Sequence, residues 1–127
     1  MGDLLGSISA AASGMNAQAQ RLKVTSENIA NADTPGYRRK TLPFHTSLSE
    51  DVAVKAGRVR LDQAELPDVY DPAHPLAGED GYYKGSSVDL MLEIADAREA
   101  QRSYEANLKV FDQARNMASQ TLSLLNK

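Results

Sequence analysis

All five prolines of the chain lie between residues 35 and 75, and five of its eight glycines lie between residues 36 and 85. Because proline ends helices and glycine weakens them, both ends of the chain are free to be helical. The run from Ser87 to Leu125 contains neither residue type. At about 1.5 Å per residue, it predicts a rod of roughly 55–60 Å. The length of the chain, 127 residues, is sufficient for only one modest domain.

The C-terminal run carries an alternating four–three spacing, which is typical of a helix that packs along another helix. The positions are Leu90, Ile94, Ala97, Gln101, Tyr104, Leu108, Phe111, Arg115, Ala118, Leu122 and Leu125. The polar residues Gln101 and Arg115 within this stripe would favour one register of pairing over others. Ser86, with Asp89 three residues later, predicts the N-terminal cap of the helix.

The N-terminal run, from about Leu4 to Asn31, predicts a weaker helix with the same kind of spacing. Its bulky residues fall seven apart, at Ile8, Met15, Leu22 and Ile29. The remaining faces carry mostly Ala, Ser, Gly and Gln, so the helix has little apolar area to bury and should be marginal alone in water. Small side chains on all sides allow several neighbours to approach closely.

The middle of the chain predicts a small β insert. Val52, Val54, Val59 and Leu61 alternate around Gly57, which indicates a β-hairpin. The segment LPDVYDPAHPLAGEDGYYKG is rich in turn residues and is expected to run extended over a surface. Because so short an insert cannot hold a large core, its strands should lean on the helices or on another subunit.

These patterns predict a mainly α fold, in which long N- and C-terminal helices pair as an antiparallel coiled coil around a small β-hairpin and extended insert. The chain is expected to form one structural unit. Its expected parts are residues 1–33 for the N-terminal helix, 34–86 for a corner motif and the insert, and 87–127 for the C-terminal helix.

Composition argues against several functional classes. A net charge of −3 and a pI near 5.3 give no reason to expect nucleic-acid or anionic-membrane binding, and Arg38, Arg39 and Lys40 form an isolated basic cluster. The absence of cysteine excludes disulfides, thiolate metal sites and cysteine nucleophiles. The chain contains no stretch of 18 consecutive apolar residues, so no membrane-spanning helix is predicted.

A metal or catalytic site is not expected either. Asp68, Asp71 and His74 recur at three-residue steps, but Pro72 and Pro75 prevent the helix that would bring them together. The simpler interpretation is a proline-braced turn whose Asp and His hydrogen-bond nearby backbone. With no nucleophile motif and no core large enough to form a pocket, we expect no enzyme activity, no cofactor and no metal.

The stretch SENIANADTPGYRRK, residues 26–40, closely resembles the N-terminal motif of the bacterial flagellar axial proteins, the rod and hook family. That motif reads S-x-N-I-A-N-x-x-T-P-G-Y followed by cations. The matching residues are Ser26, Asn28, Ile29, Ala30, Asn31, Thr34, Pro35, Gly36 and Tyr37. At the other end, residues 91–114 resemble the C-terminal helix of the family, with its A-x-R-x-Y-x-A-N core. The resemblance therefore brackets the chain.

The length of the chain and its middle block, YDPAHPLAGEDGYYKG, resemble a proximal-rod subunit of that family. One departure is SSVD before the last helix, where Pro-Asn-Val-Asn is usual. The resemblance implies a non-enzymatic structural subunit that assembles helically around an export channel and transmits torque from the membrane ring to the distal rod and hook. The implied helix-seam and assembly residues are Ile8, Met15, Leu22, Leu90, Ile94, Ala97, Tyr104, Leu108, Phe111, Leu122 and Leu125.

The same resemblance implies a set of partners and a location. The partners would be copies of the chain, neighbouring rod subunits, a membrane-ring or export-gate adaptor, the distal rod and the flagellar type III export apparatus. The location would be the basal-body rod in the periplasmic space, reached without a cleaved signal peptide. The alternatives are another proximal-rod subunit or, from a different class, a free-standing coiled-coil adaptor or export chaperone.

Overall fold

The computed structural model describes residues 2–47 and 53–126. Two helices make up most of it, α1 at Gly2–Ala30 and α2 at Leu90–Leu125. The described residues also contain six short strands, which are β1 at Lys40–Thr41, β2 at Phe44–Ser47, β3 at Ala53–Ala56, β4 at Arg60–Leu61, β5 at Asp68–Tyr70 and β6 at Tyr82–Lys84. The predicted mainly helical fold class is confirmed. Neither of the two helices is apolar enough over a sufficient length to cross a lipid bilayer.

The two helices pack against each other along the length of α1. Near the end of α1, Asn28 contacts Glu93 in the first turn of α2. Gly14, in the middle of α1, lies so close to Asn107 that an added Cβ would be 2.9 Å from its side-chain nitrogen. The first turn of α1 shares a groove with Met117. As residue numbers fall along α1, those of the contacting residues rise along α2.

The last residues of α2, 118–125, continue beyond the first turn of α1. At about 1.5 Å per residue, this overhang is roughly 12 Å long. Leu122, Leu124 and Leu125 are between 51% and 70% exposed there. The overhang therefore leaves large apolar side chains without a covering helix from the same chain.

The face that α2 turns toward α1 differs from the predicted stripe. Its buried positions are Glu93, Ala100 and Ala114, with the half-buried Asn107 completing a spacing of seven. The exposed large residues of the predicted stripe are Leu90, Ile94, Leu108, Leu122 and Leu125, each more than a third exposed. Ile94 and Leu108 each directly follow a residue of the packed face and so lie roughly a quarter turn around the helix from it. Leu122 and Leu125 are exposed in the overhang, and Leu90 is exposed at the start of the helix. These five residues therefore contribute little to the contact between the helices of one chain, and their role in assembly stays a prediction.

The start of α2 also differs from the prediction. The helix begins at Leu90, three residues later than expected, and its N-cap is Asp89 rather than Ser86. The Asp89 carboxylate accepts hydrogen bonds from the backbone N–H groups of Met91 at 3.1 Å and Leu92 at 3.4 Å. These bonds satisfy two of the donors that every helix leaves free in its first turn.

The predicted hairpin around Gly57 is wrong, because the strands of the insert pair in a different way. β3 pairs with β2 and β4 pairs with β1, both antiparallel, so residues 40–47 and 53–61 form the two arms. The two arms are joined by the Gly57 N–H, which donates to the Pro43 carbonyl at 2.7 Å. The arm 40–47 was missed because Pro43 interrupts it and it lacks regular alternation. Val52, part of the predicted hairpin, lies outside the described residues.

The segment that was expected to run extended instead forms a second antiparallel hairpin, β5 with β6. Within its loop, the Asp71 carboxylate accepts from the Ala73 N–H at 3.2 Å, and His74 Nδ1 accepts from the Leu76 N–H at 3.1 Å. The His74 ring stacks on Tyr83 with the ring centres 4.0 Å apart. The predicted turn, braced by proline and by Asp and His bonds to backbone, is confirmed.

The insert leans on α1, as the small size of its strands requires. The Val54 N–H of β3 donates to the Ser13 hydroxyl of α1 at 3.1 Å. Ser13 itself donates to the Ala10 carbonyl at 2.8 Å, so its hydroxyl is held in place. The expectation that the strands rest on the helices is confirmed for this strand.

Candidate functional site

The corner after α1 is built from local hydrogen bonds. The Asn31 side chain donates to the Glu27 carbonyl at 2.8 Å and so satisfies one of the last carbonyls of the helix. Its oxygen accepts from the Thr34 hydroxyl at 3.1 Å. Asn31 therefore holds the helix end and the following turn together.

The turn itself requires a proline and a glycine at defined positions. The Tyr37 N–H donates to the Thr34 carbonyl at 3.2 Å, which closes a four-residue turn. Pro35 has the fixed φ that suits the second position, and Gly36 has φ of +75° at the third. These are the requirements of a type II turn, in which other residues at the third position are strained. The sequence T-P-G-Y thus turns the chain sharply away from α1.

The side chain of Asn28 is the centre of the corner and is 1% exposed. Its amide nitrogen donates to the Lys40 carbonyl at 2.9 Å and to Glu93 Oε2 at 3.2 Å. Its oxygen accepts from the Lys40 N–H and from the Tyr37 hydroxyl, both at 2.9 Å. An amide offers two donors and two acceptor lone pairs, so all four positions are satisfied. One side chain therefore links α1, α2 and the first strand of the insert.

A charged network continues from this centre. Glu93 is 1% exposed, and its carboxylate accepts from Arg39 Nε. Arg39 also pairs with Asp96 at 3.2 Å, and Asp96 pairs with Arg21 of α1 at 3.4 Å. The hydrogen bond to Glu93 raises the pKa of Arg39, which keeps the guanidinium charged. A buried carboxylate is tolerated only when it is paired in this way.

Three further groups of the corner have shifted pKa values. Partial burial raises the pKa of the Tyr37 hydroxyl, so it remains a hydrogen-bond donor to Asn28. At the surface, Lys40 Nζ lies 3.0 Å from Glu27 Oε2. Their hydrogen bond lowers the pKa of Glu27 and raises that of Lys40.

The corner also holds the second hairpin and the start of α2. The Gly36 N–H donates to the Lys84 carbonyl of β6 at 3.1 Å. The Ser87 N–H donates to the Tyr37 carbonyl at 3.0 Å, and the Ser87 hydroxyl accepts from the Arg39 N–H at 2.7 Å. The corner therefore ties β1, the second hairpin and the start of α2 to the end of α1.

The structure brings only some of the motif residues into this centre. Asn28 and Tyr37 belong to it, whereas Asn31, Thr34, Pro35 and Gly36 shape the turn beside it. Ser26 and Ala30 are exposed and Ile29 is half-buried. Among the helix-seam predictions, Ile8, Met15, Leu22, Ala97, Tyr104 and Phe111 are half-buried, and Leu90, Ile94, Leu108, Leu122 and Leu125 are exposed.

Three important residues of the site were not predicted from the sequence. Arg39 was considered only as part of an isolated basic cluster, Ser87 only as the start of the C-terminal run, and Glu93 was not singled out. A glutamate one turn into a helix gives no signal of burial by itself. The available signal was the presence of cations directly after the turn, because an arginine that follows a sharp turn can reach back to the helix.

The arrangement offers structural rather than catalytic chemistry. A cavity of about 240 Å³ beside the network is lined by Arg21, Arg39, Glu93 and Asp96, whose charges are engaged with one another. Within residues 2–47 and 53–126, no three His, Asp or Glu side chains are grouped closely enough to hold a metal ion. The site can fix the angle between elements.

Family descriptions match both ends of the chain. Residues 8–38 match the family described as flagella basal body rod protein, which includes most of α1 and the corner turn. Residues 79–124 match the family described as flagellar basal body rod FlgEFG protein C-terminal, which includes β6 and almost all of α2. The two matches contain both partners of the Asn28–Glu93 contact.

Curated relatives match nearly the whole chain. The flagellar basal-body rod protein FlgC of Agrobacterium fabrum is 42% identical over 125 residues, covering 91% of this chain and 90% of the relative. The protein of the same name from Escherichia coli O157:H7 is 35% identical, and that from Salmonella typhimurium is 36% identical. Each of these two alignments covers 95% of this chain and 97% of the relative.

Proposed function

The chain belongs to the FlgC family of flagellar basal-body rod proteins, which are structural subunits and not enzymes, and from that premise we propose that it builds the proximal rod. In this role it assembles helically through its terminal helices and surrounds the export channel. It transmits torque from the membrane ring to the distal rod and hook. The FlgC name of the relatives favours this role over that of another proximal-rod subunit such as FlgB.

The observation that carries the proposal is the corner centred on Asn28. A part that transmits torque must resist a change of angle between its elements. The corner joins α1, α2 and the insert through a buried side chain with every hydrogen-bonding position satisfied. Because each bond that breaks would leave a buried polar group without a partner, bending at this point is costly.

The helix pair supports the proposal of an antiparallel coiled coil. Glu93, Ala100, Asn107 and Ala114 on α2 are spaced by seven, which is the period of a coiled-coil seam. The small residue Gly14 lies against the Asn107 side chain, so the two helices are in close contact there. This close approach leaves the larger side chains of α2 for contacts outside the chain.

Assembly partners are proposed for those exposed side chains. Leu90, Ile94, Leu108, Leu122 and Leu125 form a stripe that another rod subunit would cover, either a further copy or a neighbouring rod protein. The overhang of α2 extends this stripe beyond α1, which favours contacts along the rod. A membrane-ring or export-gate adaptor and the distal rod would meet the two ends of the assembly.

The proposed location is the part of the basal body that crosses the periplasmic space. The chain would reach it through the flagellar type III export apparatus with its N-terminus uncleaved. The marginal stability expected for α1 alone favours this route, because a helix with few large apolar residues unfolds easily for passage through a narrow channel.

Deletion of the gene in its host tests the proposal, with basal bodies imaged by electron cryotomography. We expect membrane rings without a distal rod, hook or filament, and restoration of all three by the wild-type gene on a plasmid. Complete rods and swimming cells in the deletion strain would disprove the proposal and favour the adaptor or chaperone alternative.

Complementation with point variants makes the test specific to the corner. Asn28→Ala should fail to restore swimming, because it removes the central side chain. Ser26→Ala is the matched control, since Ser26 belongs to the same motif but is exposed. Equal swimming by both variants, at equal protein levels, would show that the corner does not carry the function.

A further inference from the structure

Among the described residues, the exposed charges of the insert differ in sign between its two hairpins. Between residues 62 and 89 the chain has seven acids and a single cation, Lys84, which pairs with Asp68 at 2.8 Å. On the other hairpin, Lys55, Arg58 and Arg60 are all exposed. Within the described residues, no ion pair joins the two hairpins to each other.

A groove lies beside the first hairpin, which is formed by residues 40–47 and 53–61. It has a volume of about 460 Å³, with Val24, Leu42 and Val59 as its apolar lining and Lys23 and Lys40 at its edge. We call these five residues the basic groove. Glu27 is the one carboxylate in its lining, and it is already paired with Lys40. No residue from 62 to 89 lines the groove, so the chain does not fill it with its own second hairpin.

The second hairpin, residues 68–84, presents the opposite pattern, and we call it the acidic hairpin. Tyr70 and Leu76 are each 64% exposed and Tyr82 is 45% exposed. The tyrosine rings lie 5.0 Å apart, centre to centre. The exposed acids beside them are Asp71, Glu79 and Asp80. An apolar centre with a charged rim is the usual anatomy of a protein interface.

The acidic hairpin is also rigid enough to act as a ligand. The Asp71 N–H donates to the Gly81 carbonyl at 2.9 Å, and the Gly78 N–H donates to the Tyr82 carbonyl at 3.0 Å. Gly81 has φ of +83°, and a Cβ at this position would be 2.8 Å from the Tyr70 ring. A preformed ligand loses little conformational entropy on binding, which favours affinity.

We propose that the acidic hairpin of one copy of this chain docks into the basic groove of the next copy. Aromatic and leucine side chains would enter between Lys23 and Val59, and the acids would face the cations of the rim. Because the two surfaces lie on different parts of the chain, the contact is heterologous and continues from copy to copy. This inference rests on the proposed rod function, which requires such an open or ring-forming contact.

Disulfide trapping tests the contact directly, since the chain has no cysteine of its own. The double variant Val59→Cys, Leu76→Cys replaces two exposed residues, one on each surface. Basal bodies from a strain that carries only this variant are oxidised mildly and separated on a non-reducing gel. We expect bands of two and more linked copies that are absent from either single variant.

The matched control is Val59→Cys with Leu124→Cys, which places the second thiol on an equally exposed residue of the α2 overhang. An equal yield of linked copies from the control, or assembled rods without linked copies from the test variant, would overturn the docking proposal. Assembled rods without linked copies would leave the rod function itself intact, so the two failures are distinguishable.

Charge exchange gives a second measurement that does not depend on crosslinking. Lys23→Glu and Glu79→Lys should each reduce the number of rods per cell about tenfold, as a loss of about 1.4 kcal/mol in contact energy would. Both changes in one chain should restore rod number, because every interface then contains an exchanged pair. A double variant whose number of rods per cell falls by the product of the two single reductions would contradict the proposed contact.

Discussion

At the scale of single residues, the corner depends on groups that have no substitute nearby. The Asn28 side chain makes four hydrogen bonds through one amide group held on a single methylene. No other residue type places an amide at this distance from the backbone. Its amide faces Glu93, whose carboxylate is also buried. The motif therefore requires asparagine at this position for a reason of geometry and charge together.

Replacing Asn28 with alanine should lower the free energy of unfolding by about 2–3 kcal/mol. The change removes hydrogen bonds and leaves Glu93 and the Lys40 backbone with unsatisfied buried groups. Urea unfolding of the purified full-length chain, followed by circular dichroism, measures the effect. Ser26→Ala is the control and should stay within about 0.5 kcal/mol of the wild type. Similar values for the two variants would contradict the central role of Asn28.

Replacing Gly36 with alanine should cost about 1–2 kcal/mol through backbone strain alone. The residue has φ of +75°, and no atom lies within 4 Å of the position that a Cβ would occupy. A clash with surrounding residues therefore plays no part. The same unfolding experiment measures the cost. Gly36→Asn should recover part of it, since asparagine tolerates this conformation better than alanine. Equal stability of Gly36→Ala and wild type would contradict this explanation.

The Glu27–Lys40 pair predicts a small pH dependence of stability. The pKa of Glu27 is lowered from its ordinary value of 4.5, chiefly by the hydrogen bond to Lys40. A lowered pKa means that the pair stabilises the fold above pH 4.5 and that this stabilisation is lost as the pH falls through the folded-state pKa. The midpoint of thermal unfolding should therefore fall less between pH 5 and 3 in Glu27→Gln than in wild type. Parallel curves for the two proteins would contradict this.

At the scale of elements, the helices were predictable, and the stripe predicted for their contact matches the packed face only in part. The absence of proline and glycine after residue 86 predicted α2 to within three residues of its start. The contact with α1, however, uses Ala100, Asn107 and Ala114. Periodicity identifies the face with the largest apolar side chains, but it cannot tell a contact within the chain from a contact with another subunit. The close approach of two helices favours small residues instead.

Strand pairing could not be predicted from the sequence pattern either. Val54 and Val59 suggested a hairpin, because they alternate around Gly57. In the structure, both arms pair with the residues that follow the corner, and Pro43 divides those residues into two short strands. The corner fixes where that arm begins, through the bonds between Asn28 and Lys40. Tertiary contacts of this kind are invisible to local propensity.

Two glycines of α1 should respond in opposite ways to replacement by alanine. At Gly6 no atom lies within 4 Å of the new Cβ, so Gly6→Ala should raise the free energy of unfolding by about 0.5–1 kcal/mol through helix propensity. At Gly14 the Cβ would be 2.9 Å from the Asn107 amide, which is itself bonded to the Ser103 carbonyl. Gly14→Ala should therefore be neutral or destabilising. Equal gains in urea unfolding would contradict the close helix contact.

At the scale of the whole molecule, the apolar surface that the chain leaves exposed is concentrated along α2 and beyond the start of α1. A single copy leaves more than half of Leu122, Leu124 and Leu125 exposed. Exposed leucines that lie close together are unfavourable for a free chain and suit a subunit that buries them against a neighbour. The molecule is therefore better described as one piece of an assembly than as a self-sufficient domain.

The double variant Leu122→Gln, Leu125→Gln should separate folding from assembly. Because both side chains are exposed, the free energy of unfolding of the purified chain should change by less than about 0.5 kcal/mol. Rod assembly in the deletion strain, scored by cryotomography, should nevertheless be lost. Gln120→Ala, on the same turn of the helix and also exposed, is the control and should assemble normally. Normal rods with the double variant would contradict a role of these residues in assembly.

The contact between Asn28 and Glu93 joins residues that are 65 positions apart. During synthesis, the first helix and the turn are complete long before Glu93 exists, and Asn28 then has only part of its set of partners. A chain that terminates before Glu93 keeps an intact motif but can never close the corner. The same side chain that sets the angle of the finished part thus also reports that translation has reached the start of the last helix, because Glu93 lies in its first turn.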